Sequence, residues 1–358
     1  MRRARQLVPM MIVVALLASP ATLAQVTPIA TGAFANTWAR TDRPVLEGRT
    51  HRTWMWGPEP FTGPIGEPYA EAPGGVRLVQ YFDKTRMELT NPAADPRSPW
   101  YVTNGLLAKE LVTGQLQLGD NAFESHQPAA VNIAGDADDP DGPTYASFSA
   151  LLSAAPLPTG QVIAQTIDRA GSISENPELA AYGVTAAFYV PETNHTVASV
   201  FWEFMNSVGL VYENGQYVEA RLFENPFYAT GFPLTEAYWT RIRVGGVQRW
   251  VLVQVFERRV LTYAPDNPEG WKVEAGNVGR HYYAWRYEHL GKQPAPLPTS
   301  YQPPPDPTWQ CDPAYPDACI PSPPPDLRCA DIPYRRFQVL PPDPQGFDRD
   351  RDGIGCEG

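Results

Sequence analysis

The chain has no cysteine before position 311. That excludes a thiol nucleophile from everything N-terminal to that point. Histidine is scarce too. His51, His126, His195, His281 and His289 are the whole supply. None sits in H-E-x-x-H or another metal-spaced pair, and no G-x-S-x-G occurs. Beyond the first two dozen residues no stretch is apolar enough to span a bilayer, which needs about 20 such residues. Positive charge is also short: 28 Lys and Arg stand against 39 Asp and Glu, a net of -11. An acidic chain does not suit the phosphate backbone, so nucleic acid is not an expected partner.

What is present begins with an export signal. Arg2, Arg3 and Arg5 precede an apolar run over 8–17, and Thr22-Leu23-Ala24 offers a small-residue cleavage site. The expectation is a signal peptide over 1–24, cut before Gln25, and a secreted, cell-surface-associated chain with no remaining membrane span. Cys311, Cys319, Cys329 and Cys356 then read as two disulfides formed in an oxidising compartment. Sequence alone permits three pairings. A metal-thiolate site is disfavoured, because no C-x-x-C pair and no nearby histidine exists. Forty prolines and 28 glycines argue for short elements and many turns. A Pro-rich linker is expected over 291–310.

The region before that linker carries an internal duplication. Val79-Gln80-Tyr81-Phe82-Asp83-Lys84 lies over Val253-Gln254-Val255-Phe256-Glu257-Arg258. Gly74-Gly75-Val76 lies over Gly245-Gly246-Val247, and Ile65-Gly66-Glu67-Pro68-Tyr69 over Leu234-Thr235-Glu236-Ala237-Tyr238. Arg86 is matched to Arg259 after a one-residue gap, and Asn104-Gly105-Leu106-Leu107 to Gly276-Asn277-Val278-Gly279. The expected fold is α+β: two similar repeat units, 30–118 and 191–290, separated by an insert, 119–190. Each unit pairs short hairpin sheets with aromatic helices, over 34–47 and 197–208 at the start, and over 104–111 and 276–288 at the end. Phe82 and Phe256 should occupy equivalent buried places. The segments Gly231-Phe232-Pro233-Leu234-Thr235-Glu236 and Val253-Gln254-Val255-Phe256-Glu257-Arg258-Arg259 resemble extracellular repeats of the Chloroflexi type, distantly similar to the LGFP cell-wall repeat. The resemblance implies a cell-surface role and transfers no catalytic residue.

The C-terminus carries the sharpest motif. Asp348, Asp350 and Asp352 alternate, and Gly353 follows. This is the opening of an EF-hand loop. Calcium requires six to eight oxygens at about 2.3–2.6 Å, and alternate aspartates in a tight curl converge on one point. The Ile354 carbonyl and the Glu357 carboxylate complete the expected ligand set for Ca2+. Glu357 arrives two residues early for an EF-hand. The pattern D-x-D-x-D-G-x-x-C-E, with Cys329-Ala330-Asp331 and Asp343-Pro344-Gln345-Gly346-Phe347 upstream, resembles the Excalibur extracellular calcium-binding domain. That resemblance places the domain over 311–358 as a small disulfide-rich unit. It implies a Cys329–Cys356 disulfide, with Cys311–Cys319 as the remainder.

Similar tails follow secreted thermonuclease-like domains, which raises a hydrolase alternative: a nuclease or cell-wall hydrolase with its site in the large region. Glu124, His126 and His195 are the residues whose convergence would favour it. No nuclease set of carboxylates and paired arginines is legible. Arg241, Arg243, Arg258 and Arg259 read as solvent-facing partners of Glu236 and Glu257. Asp136, Asp138, Asp139 and Asp141 could ligate calcium, but a solvated turn is the favoured reading. Trp54, Trp56, Trp239, Trp250, Trp271 and Trp285 could stack on a cell-wall glycan or other envelope polymer, although most belong in a core. The reading is a secreted calcium-binding, envelope-associated protein with non-catalytic repeats.

Overall fold

The computed structural model describes residues 27–297, then 312–316, 318, 320, 322–323, 327–329, 332, 334 and 336–357. The signal peptide, most of the linker, Cys311 and Cys319 lie outside the described residues. The described chain is α+β, with small, mostly antiparallel sheets. Four α-helices occur among the described residues: α1 (Gly32–Leu46), α2 (Leu107–Thr113), α3 (Ser199–Met205) and α4 (Val278–Tyr283).

Two antiparallel meanders dominate. The first runs Ile65–Pro68, Val76–Tyr81, Arg86–Leu89, Thr103–Asn104. The second runs Tyr238–Val244, Val247–Val255, Val260–Tyr263, Val273–Ala275. Side chains alternate between faces with period two. In the first meander Leu78, Met87 and Leu89 join one buried core, while Val79 and Tyr81 join another. Leu252 and Leu261 of the second meander belong to the former core, and Val251, Val253, Val255 and Val260 to the latter. Residues of the expected insert extend the second sheet. Gln165–Ile167 lies parallel to Tyr238–Val244 through Trp239 and Thr166, and Ile173–Glu175 lies beyond it. The first sheet is extended instead by Ala295, whose N–H donates to the Gly66 carbonyl at 2.8 Å.

The registers of the two meanders correspond. Tyr81 faces Arg86 as Val255 faces Val260, and Leu78 faces Leu89 as Leu252 faces Tyr263. Phe82 N–H donates to Thr85 O at 2.8 Å, and Phe256 N–H to Arg259 O at 2.9 Å. Both phenylalanines are fully buried, and each bridges a proline, Pro60 and Pro233. Gln80 and Gln254 make the same set of bonds. Gln80 accepts the Ala30 N–H and donates to Pro28 O and Thr62 O. Gln254 accepts the Ala198 N–H and donates to Thr196 O and Thr235 O. Leu106 and Asn277, before α2 and α4, share a backbone geometry: φ -75, ψ 44 and φ -80, ψ 46.

Several letter-by-letter matches need correction. Ile65 faces Val79, and the residue facing Val253 is Tyr238, not Leu234. Arg86 corresponds to Val260 rather than Arg259, with no gap. Asn104 faces Met87 as Ala275 faces Leu261, so Asn104 corresponds to Ala275 and not to Gly276. The Gly-Gly hairpins also differ in length, because Val247–Val255 has 9 residues and Val76–Tyr81 has 6. A hairpin can lengthen at its tip without disturbing the register at its base. The helix expected over 197–208 is shorter, because Val197 belongs to His195–Ala198, which pairs with Ala186–Val190. The helix expected over 276–288 divides into α4 and a π turn, Ala284–His289.

Candidate functional site

The C-terminal loop brings three carboxylates together. One carboxylate oxygen each of Asp348, Asp350 and Asp352 lies within 4.8 Å of the others. The loop aims them through its own backbone. Asp348 accepts the N–H groups of Asp352 (3.2 Å) and Gly353 (2.9 Å), and Asp352 accepts that of Ile354 (2.9 Å). Gly353 sits at φ 90, where a side chain would be strained. The loop's exit is tied by the Cys329–Cys356 disulfide. Beneath it lie Tyr315, Phe337 and Phe347, packed edge to face with centroids 5.5 to 5.8 Å apart.

Asp343, part of the motif quoted from the sequence, is a positioning residue whose role sequence reasoning did not assign. Its carboxylate accepts the N–H groups of Gly346, Phe347 and Asp348 and the Tyr315 hydroxyl, which folds the chain into the loop. The signal was an Asp opening an Asp-Pro-Gln-Gly turn. Glu357, expected as the closing ligand, is elsewhere: it pairs with Arg336 at 2.9 Å and is not one of the three clustered carboxylates. Ile354 lies in a short strand opposite Gln338. The donor set is three hard oxygens with no nitrogen or sulfur, which fits calcium or magnesium and not zinc.

The second acidic loop is a turn with Asp138 and Asp141 exposed, but Asp136 and Asp139 are tied into the neighbouring hairpin. Asp136 accepts the N–H groups of Gly245 and Gly246, both at 2.8 Å, and pairs with Arg243. Asp139 is buried and accepts the N–H of Arg243 at 2.7 Å. Asp138 takes the other end of the Arg243 guanidinium at 2.5 Å. These carboxylates cap the tip of the second meander's hairpin.

A buried ionic network was not legible in the sequence. Glu67 Oε1 accepts the Tyr81 and Tyr287 hydroxyls at 2.5 and 2.8 Å. Its Oε2 accepts Arg86 at 2.8 Å, with Arg286 at 3.5 and Arg77 at 3.8 Å. Glu88 pairs with Arg86 at 2.6 and Arg77 at 3.2 Å, and Glu110 accepts the Tyr282 hydroxyl at 2.5 Å. Burial alone pushes the Glu67 carboxyl up, but the three guanidiniums outweigh it and hold it at about 2. Burial dominates at Glu110, whose carboxyl is raised despite Arg86 and Tyr282. No charged side chain of this network is more than 5 % exposed, so it holds structure and offers a substrate no access.

Of the residues of the hydrolase alternative, Glu124 and His126 meet, but His195 does not join them. His126 pairs with Glu124 at 3.0 Å, and Glu124 with Lys292 at 2.5 Å. His195 is buried elsewhere, between Glu236 (3.1 Å) and the Leu152 carbonyl (3.2 Å). Arg259, expected at the surface, is fully buried and donates to Ala229 O, Met55 O and Asn104 Oδ1. Burial lowers it to about 10, so it stays charged at neutral pH. Among the described residues Glu236 partners no arginine: it accepts the N–H groups of Leu157 and Thr196 and lies against His195. Glu257 pairs with Lys109. Trp56, Trp239 and Trp285 are core residues, whereas Trp54, Trp250 and Trp271 are half-buried.

An open cleft of about 730 Å³ lies between α1, residues 96–102 and residues 222–228. No helix among the described residues is long and apolar enough to cross a membrane. Comparison with protein-family models, with curated proteins and with solved structures gives no match to this chain.

Proposed function

We propose that this is a secreted, calcium-binding, envelope-associated protein whose two repeat units are non-catalytic binding or structural modules. The observation that carries it is the convergence of Asp348, Asp350 and Asp352 in a loop closed by the Cys329–Cys356 disulfide. A leader at 1–24 and a disulfide agree with an oxidising compartment outside the cytoplasm. When bound, calcium would be held by the three aspartates and would supply only charge and cross-linking. Water and backbone oxygens must complete its shell, because three carboxylates fall short of six to eight ligands. The Excalibur resemblance supports this reading of the tail.

The copy reading of the large region is supported by the shared register, the paired glutamine bonds and the matched prolines. An experimental structure that separates the Phe82 and Phe256 Cα atoms by more than a strand spacing, about 4.8 Å, when the meanders are overlaid would remove it. The calcium reading is tested by titrating calcium into the full oxidised chain by calorimetry. One site of about 10⁻⁴–10⁻³ M is expected, as in extracellular modules. Asp350→Ala with Asp352→Ala should abolish it, and an unchanged isotherm in that variant would refute the site.

A further inference from the structure

We propose that the cleft between α1, residues 96–102 and residues 222–228 binds a neutral oligosaccharide, with Trp100 as its stacking platform. The inference deepens the polymer-binding part of the reading above by giving it a site and a ligand class. The volume, about 730 Å³, is that of a small-ligand site, for which about 300–1,000 Å³ is usual. The floor is apolar: Trp56, Val102 and Phe223 line it and are nearly fully buried. Trp100 stands at the rim 44 % exposed, the one tryptophan among the described residues with so much open surface.

The platform is held in place before any ligand arrives. The Trp100 and Tyr228 rings lie 5.5 Å apart, and the Arg258 guanidinium lies 5.8 Å from the Trp100 ring centroid. The Tyr228 hydroxyl donates to Val102 O at 2.7 Å, and Asn104 Nδ2 donates to Tyr228 O at 3.1 Å. One wall is the connection between the last two strands of the first meander and the other is the chain leading into the second meander, and these bonds bolt them together. A fixed aromatic ring loses little entropy on binding.

Charge selects the ligand class. The cations in the wall are already committed. Arg40 is bound to Glu213 and to the Arg221 and Leu222 carbonyls, and Arg97 to Asp95. Each lining cation is balanced by a carboxylate, so the cleft carries no excess positive charge for a phosphate or a carboxylate ligand. The other polar groups in the lining include the exposed Asn36 and Asn225 amides, the Thr37 hydroxyl and the exposed Glu224 carboxylate. These both donate to and accept from hydroxyls. A ring with an apolar C–H face and a hydroxylated edge fits an indole beside amide, hydroxyl and carboxylate groups. A sugar has that shape, and a nucleotide adds charge the cleft does not answer.

The test uses the full oxidised chain, with calorimetry and tryptophan fluorescence. The probes are an N-acetylglucosamine tetramer, a β-1,4-glucose tetramer and inorganic phosphate. One tetrasaccharide at least should bind, and phosphate should not. Trp100→Ala should weaken that binding about tenfold or more, and Trp100→Phe less. Both variants should melt with the parent, because the ring is at the surface. Absence of saccharide binding up to about 10 mM, a Kd unchanged in Trp100→Ala, or binding of phosphate alone would each overturn the proposal. Calcium titration of the same samples reads the tail separately. A chain that binds calcium and no saccharide loses this inference and keeps the calcium reading.

Discussion

The two meanders share a register and differ in what they bury. Where the first has Glu67, Arg77, Tyr81, Arg86 and Glu88, the second has Thr240, Val251, Val255, Val260 and Thr262 at the corresponding positions of the ladder. The first set is an ionic network, and the second is largely an apolar face. What the meanders keep in common is the hairpin turn after Tyr81 and Val255 and the buried glutamine that ties each sheet to the chain before its helix. The backbone frame is thus set by hydrogen bonds, and the inner face tolerates opposite chemistries. Those chemistries fail differently. Apolar packing degrades in proportion to the area lost. A buried ion network depends on completeness, because removing one member leaves an uncompensated charge.

The largest effect should come from breaking the network. Arg86→Ala leaves Glu67 and Glu88 short of their nearest cation and should cost about 3–5 kcal/mol. Val260→Ala, the corresponding truncation, should cost about 1.5–3 kcal/mol. Urea unfolding of the two variants measures this, and equal losses would erase the contrast. The shared feature gives the control. Gln254→Leu orphans the buried Ala198 N–H and the Thr196 and Thr235 carbonyls and should lose about 1–3 kcal/mol per group left unpaired, whereas Gln80→Leu should lose less, because Pro28 is exposed and Ala30 and Thr62 are half-buried, where water can replace the amide. A large loss from one and none from the other would show that the two sheets are not held alike.

Acid should separate the units by window. His281 and Glu110 occupy corresponding turns of α4 and α2. Burial, with Lys84 nearby, depresses His281 from 6.5 to about 4, so its contribution is present above 6.5 and is lost as pH falls toward 4. Glu67 is depressed from 4.5 to about 2, so its contribution persists to about pH 4.5 and is lost below that. Glu110 runs the other way. Its raised carboxyl favours the fold at low pH, and that contribution is lost as pH rises through the raised value. Urea midpoints from pH 8 to 3 should therefore flatten above pH 4 in His281→Asn, flatten below it in Glu67→Gln, and rise at neutral pH in Glu110→Gln. His281→Asn with the parent's pH profile would remove the second unit's window.

Which parts of this were legible follows from range. The strands around Val79 and Val253 were readable because alternation and the Val-Gln pair are local signals. Asp348, Asp350 and Asp352 were readable because three ligands from one loop need no distant partner. The network was not, because a charged residue in a strand reads as solvent-facing until its partner is known, and Glu67 meets Arg286 from far along the chain. Arg259 was misplaced for the same reason. Glu357 was read as a ligand from its spacing alone, a local signal that could not show its ion pair with Arg336. The cleft joins residues 96–102 to 222–228, two loops with no shared motif.

The smallest effect should lie where the two units exchange helices. The α2 helix docks on the second meander's turn: the Lys109 N–H donates to Glu257 O at 3.0 Å, and Lys109 Nζ lies 3.2 Å from the Glu257 carboxylate. The α4 helix docks on the first meander's turn: the Arg280 N–H donates to Asp83 O at 3.3 Å, and the Arg280 guanidinium lies 2.6 Å from the Asp83 carboxylate. Lys109 and Arg280 hold the same position of their helices, so each unit closes the other with one cation. Both pairs are partly exposed, and each should contribute only about 0.2–1 kcal/mol. The backbone approach matters more. A Cβ on Gly279 would collide with the Phe82 carbonyl, whereas Ala108 occupies the corresponding place in α2 without difficulty. Charge reversal should thus cost little in Lys109→Glu or Glu257→Lys, and the double reversal should recover the loss. The same cycle on Arg280 and Asp83 should give a coupling within about 0.5 kcal/mol of the first, falling in both as salt rises. Gly279→Ala should cost several times either coupling. If instead the two couplings differ several-fold, the exchange is not reciprocal, and the likeness of the units stops at their sheets.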